Sequence, residues 1–157
     1  MGRRATLKPT HMTRISQCSL MALLAVLLCS CGTAFHKPWQ AAVGKPVQAG
    51  SIEGPWTGYW KSAVNGHTGN LRCIVGPEKD GSRPFHYHAT WGKGLFRGSF
   101  QAQHDVKTAG EKTTFTAKRT IGQHGFFQAE GTVTPSDFRA TYRAAGDHGT
   151  FELKRPK

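Results

Sequence analysis

Three imidazoles (His67, His124 and His148), the carboxylate of Asp147, the amide of Asn65 and the indole of Trp91 are the side chains of this 157-residue chain that could do chemistry together. Three histidines at one point could hold Zn²⁺ with an open fourth position. Asp147 beside an imidazole could orient it as a general base. With Trp91, the same groups could instead fix a small ligand at the opening of a cavity. A plainer reading is available: Asn65-Gly66 and Gly146-Asp147 are turn formers whose side chains bond their own backbone and leave the imidazoles in solvent. No local spacing of the H-E-x-x-H kind ties the histidines, so no metal and no cofactor is assigned. His86 and His88 share a strand face, but that face is the wet one, and alternation alone accounts for the pair.

Whether the six residues meet depends on the elements that carry them. From Gly54 to Lys157 apolar residues recur at every second position: Trp56-x-Gly58-x-Trp60, then Leu71, Cys73 and Val75, then Phe85, Tyr87, Ala89 and Trp91. The alternation continues through Phe96, Gly98, Phe100 and Ala102; Phe115 and Ala117; Phe127, Ala129, Gly131 and Val133; Phe138, Ala140 and Tyr142; and Phe151 with Leu153. A period of two predicts strands with one buried and one wet face. Asn65-Gly66, Asp80-Gly81, Gly92-Lys93-Gly94, Ala109-Gly110, Gly122 to Gly125, Pro135-Ser136 and Gly146 to Gly149 supply turns between them.

The expected fold is therefore all-β, an eight-stranded antiparallel up-and-down barrel of the calycin-like meander type. A curled meander or a two-sheet sandwich is the alternative. In such a meander the odd-numbered turns share one end, which predicts that Asn65, His67, Trp91, His124, Asp147 and His148 gather at one rim, with strand 8 beside strand 1. The segment preceding the first strand joins the barrel at the other end, so the rim is expected to face away from any anchor before the domain.

Ahead of the domain lies an apolar run, Leu20 to Leu28, within the length of a secretory h-region and short of the roughly 20 residues that span a bilayer. Only Arg3, Arg4, Lys8 and Arg14 precede it, with no acid. Met12-Thr13-Arg14 and the run already form a complete signal peptide, so translation could start at Met1 or Met12. Leu28-Cys29-Ser30-Cys31 resembles the lipobox of bacterial lipoproteins, and small Ser30 favours Cys31 over Cys29 as the modified residue. The resemblance implies a palmitate-type lipid on Cys31, residues 1–30 as the cleaved signal, and membrane attachment in the cell envelope. With Gly32 in place of an aspartate, it implies the outer membrane, facing the periplasm or the surface. Residues 31–53, rich in Ala, Gly, Pro, Lys and Gln, read as a flexible tether of roughly 25 Å. Phe35 and Trp39 are unusual in a tether and are expected to dock on the domain or on the bilayer.

The chain carries 21 Lys and Arg against 9 Asp and Glu; losing four basic residues with the signal leaves 17 against 9, a net +8. That charge fits either the solvated surface of an exported protein or attraction to an anionic envelope component as partner. The compartment, and the lack of a recognition helix or RNP-like motif, argue against nucleic acid. Of the four cysteines only Cys73 remains once Cys18 and Cys29 leave and Cys31 is acylated; alternation places it inside as a structural thiol.

Two further resemblances concern the domain. Gly54-Pro55-Trp56 resembles the G-x-W opening of lipocalins, which implies a stacking partner such as Arg155 near the end of the chain. Trp56 to Trp60, Asn65 to Gly69, Tyr142 and Asp147 to Phe151 resemble a group of small exported bacterial proteins of no known activity, which implies a fold and nothing more. The expected function is a membrane-anchored, non-enzymatic binding or envelope-structural module. A small hydrolase-like or metal-dependent enzyme using the His/Asp rim is the alternative.

Overall fold

The computed structural model describes residues 34–120 and 126–157. Eight strands follow in order: β1 Gly54–Ser62, β2 Thr68–Val75, β3 Ser82–Trp91, β4 Phe96–Ala109, β5 Lys112–Thr120, β6 Phe126–Val133, β7 Asp137–Ala144 and β8 Asp147–Lys154. Each pairs antiparallel with the next, and β8 pairs with β1 to close the barrel, as the turn spacing predicts. Two glycines make that closing seam possible. A Cβ at Gly58 would run into the Glu152 carbonyl, and one at Gly149 into the Lys61 carbonyl. Removing both side chains lets β8 lie close against β1, and no unpaired edge is left there.

The inward set is the alternating one. Trp56, Cys73, Tyr87, Phe85, Phe138 and Val133 are fully buried, and Phe127 is 4% exposed while its neighbour Phe126 is 42% exposed. The lower half of the interior is filled by tilted aromatic pairs, with Phe85, Phe115 and Phe138 at centroid separations of 5.1 to 5.9 Å. The base is sealed by Arg155, whose guanidinium lies 3.9 Å over the Trp56 ring. It also donates to the carbonyls of Ser51, Glu53, Pro55 and Pro135. Burial lowers its pKa to about 10. Arg83 grips the same stretch from the side, pairing with Glu53 at 2.8 Å and Glu78 at 3.3 Å.

One stretch of wall is only half zipped. The β4–β5 ladder runs from Asp105↔Thr116 to Ala109↔Lys112, whereas β4 extends back to Phe96 and β5 on to Thr120. Across this splay Phe100 and Phe127 meet edge to face at 4.8 Å, so interior rings bridge where the ladder does not.

The segment before β1 is not wholly extended coil. Residues 34–43 form a helix, α1, which folds back along the outer wall. Phe35 and Trp39, four apart and therefore on one helical face, are 2% and 8% exposed. Phe35 sits between His86 (4.8 Å, edge to face) and His88 (4.9 Å, stacked), and Arg72 lies 5.1 Å over Trp39. Burying each of these rings is worth roughly 1.5–3 kcal/mol, enough to hold a ten-residue helix that would not form alone. The face of β3 carrying His86 and His88, expected to be wet, is thus covered, and desolvation lowers both imidazole pKa values. No helix among the described residues is long and apolar enough to cross a membrane.

Candidate functional site: the upper rim of the barrel

Antiparallel connectivity puts the β1–β2, β3–β4 and β7–β8 turns at one end, the upper rim. Consecutive amides at the end of β1 and just past it tie the first and last of these together: Ser62 N–H donates to the His67 carbonyl and Ala63 N–H to the His148 carbonyl, both at 2.8 Å. His67 and His148 thus flank the end of β1 on its two sides, with both side chains exposed.

The polar hub beneath them is Asp147. One carboxylate oxygen accepts from Ser62 Oγ at 2.6 Å and the other from the Tyr142 hydroxyl at 2.8 Å. Ser62 Oγ in turn accepts from the amides of Val64 and Asn65 at 3.1 and 3.3 Å. Asn65 Oδ1 closes the turn by accepting from His67 N–H at 2.9 Å, with Gly66 at φ 71°. Burial and the Asp147 bond push the Tyr142 phenol well up, so it stays a donor. Ser62 is 1% exposed and spends its hydroxyl proton on a carboxylate. This is the bonding of a locked turn, and burial keeps the hydroxyl out of reach of any substrate in solvent.

Trp91 belongs to a separate apolar part of the rim. It stacks on Phe96 at 6.1 Å, its ring passing over Gly98, where a Cβ would stand 3.5 Å away. Trp91, Leu95 and Phe96 are 40%, 80% and 57% exposed. The turn joining them is stiff: Gly94 N–H donates to the Trp91 carbonyl and Leu95 N–H to the Gly92 carbonyl, and Gly92, Lys93 and Gly94 all have φ between 58° and 87°. Exposed Lys93 and Arg97 flank the apolar trio.

Asn65, His67, Asp147 and His148 are therefore brought into one group, Trp91 stands at the same end in another, and His124 and Cys31 lie outside the described residues. Among the described residues no three His, Cys, Asp or Glu side chains are placed to hold a metal ion. Several recesses open on the outer wall among the described residues. One of 560 Å³ is floored by Gly131 and Ala140 between Glu130, Arg139 and Glu152, and one of 630 Å³ lies beside Tyr142 and His148.

Two places beyond Ala102 on β4 stands the most deeply buried imidazole among the described residues. His104 is fully buried in the barrel, stacked 4.1 Å on Phe85, with Nε2 3.0 Å from the Tyr87 hydroxyl and Nδ1 3.1 Å from the Ala102 carbonyl. A carbonyl can only accept, so Nδ1 carries the proton and Nε2 accepts from Tyr87. Desolvation lowers the pKa to about 4 and keeps the ring neutral. Cys73 is the cross-strand partner of Tyr87, and burial pushes its thiol well up. The signal for His104 was present: continuing Phe100-x-Ala102 by two places reaches His104 and then Val106, both inward.

Fold and rim define a small closed antiparallel β-barrel with a hydrogen-bonded polar turn pair on one side of its upper end and a stiff aromatic turn on the other. No known family matches the chain, and comparisons with curated proteins and with solved structures give no match.

Proposed function

We propose that the protein is a lipid-anchored, non-enzymatic binding module of the cell envelope, attached through Cys31 and presenting the upper rim of its barrel to an anionic, partly apolar envelope component. The observation that carries the binding reading is the division of labour at the rim. Ser62, Asn65, Tyr142 and Asp147 spend their donors and acceptors on one another, while Trp91, Leu95 and Phe96 stand in solvent on a turn too stiff to fold them away. Exposed aromatics beside Lys93 and Arg97 suit a partner that is apolar and negatively charged at once. The anchor reading rests on Leu28, Ser30 and Cys31, and on the acid-free, basic segment before them. Metabolic labelling with radioactive palmitate tests it: label should appear in the wild type and in Cys29→Ser and vanish in Cys31→Ser. Label persisting in Cys31→Ser would overturn the assignment.

A further inference from the structure

We propose that the upper rim faces the bilayer that holds the anchor, with Trp91, Leu95 and Phe96 entering the headgroup region of an anionic membrane. This reverses the orientation that strand parity alone implies, and it rests on the reading that Cys31 carries the lipid.

The reversal comes from α1. The helix does not lead away from the base; it carries the chain back up the wall, so that Phe35 sits over β3 at the level of Tyr87, between His86 and His88. From there Cys31 is four residues away, at most about 14 Å even fully extended. Along β3, Trp91 lies four residues above Tyr87, about 13 Å, and Ser82 lies five below, about 17 Å. Because barrel strands tilt by roughly 35–45°, these lengths are upper bounds on height, and an acylated Cys31 comes within reach of the plane of the upper rim. A lipid inserted from that position brings the β3–β4 side of the rim to the membrane.

What stands there fits a bilayer interface. Trp91 and Phe96 are amphipathic or apolar rings with 40% and 57% exposure, Leu95 at 80% is the most exposed large apolar side chain among the described residues, and the turn presents them without reorganisation. Lys93 at the tip and Arg97 beside it can reach lipid phosphates while the apolar trio inserts. The net +8 of the processed chain adds long-range attraction. A second membrane contact of this kind adds to the lipid anchor and fixes the orientation of the barrel on the bilayer.

The test uses the full chain reconstituted in phosphatidylglycerol vesicles whose acyl chains are brominated. Bromine quenches only tryptophan close to the lipid. The first 38 residues hold no Trp, Trp39 and Trp56 are buried in the protein, and Trp60 is partly buried, so the quenched signal should belong to Trp91. Trp91→Phe should remove most of the bromine-dependent quenching. The double variant Leu95→Ser/Phe96→Ser should reduce it at least roughly fivefold, as expected for loss of two inserting side chains. Val47→Ser, a control at an apolar site 43% exposed on the segment leading to β1, should leave it unchanged. Near-ultraviolet circular dichroism of each variant reports the fold. Quenching that survives Trp91→Phe, or that falls equally in Val47→Ser, would overturn the proposal. Palmitate labelling of the same preparation separates the two readings: an acylated protein with unquenched Trp91 overturns the orientation and leaves the anchor standing, whereas an unlabelled one removes the anchor and the reach argument together.

Discussion

His104 and Tyr87 form a hydrogen-bonded pair inside the barrel, Nε2 to hydroxyl at 3.0 Å, with Phe85 stacked on the imidazole and Phe115 meeting it edge-on at 5.3 Å. The ring must stay neutral to accept from Tyr87, and the apolar surroundings enforce this by lowering its pKa from 6.5 to about 4, against smaller opposing pulls from the bond to the Ala102 carbonyl and from Asp105.

Stability should accordingly fall on acidification. Between pH 6.5 and 4 the unfolded chain protonates this histidine while the native one does not, so the contribution is complete above 6.5 and lost as pH drops to about 4. Its size is about 3 kcal/mol. His86 and His88, also shifted down, act in the same direction. Urea unfolding from pH 4 to 7 should show a shallower pH slope in His104→Gln than in the wild type; identical slopes would mean that His104 titrates normally.

Arg155 should be irreplaceable by lysine. Its planar group stacks on Trp56 and forks to four carbonyls at once, which an ammonium cannot reproduce. Arg155→Met should cost about 3 kcal/mol through lost charge-assisted bonds and stacking, and Arg155→Lys should recover only a minor part. Thermal melts of the two variants check this, and a lysine variant as stable as wild type would contradict it.

The register of β6 yields a paired test. Phe127 is packed among Tyr87 and Phe100, whereas Phe126 is exposed. Phe127→Ala should destabilise by about 3–5 kcal/mol, and Phe126→Ala by far less. Chemical denaturation measures both, and comparable losses would show that the strand's inward face is not set by this alternation.

The eight strands and the inward identity of Trp56, Cys73, Tyr87, Phe127 and Leu153 were legible in the chain because a strand's two faces are written locally, at every second residue. Turn parity was legible for the same reason: each Gly-rich break reverses direction, so Asn65, His67, Asp147 and His148 had to share an end. The stacking of Arg155 on Trp56 could be anticipated from resemblance, but not its four carbonyl partners. Other features follow no local period. Phe35 and Trp39 stand in a segment without sustained periodicity, and only the wall formed by Arg72, His86 and His88 gives their helix something to cover. Asp147 reads as a turn former on its own; its role as joint acceptor for Ser62 and Tyr142 exists only because closure carries β8 to β1, 85 residues back along the chain. Contacts between residues that distant depend on how whole elements dock, and no local period encodes that geometry.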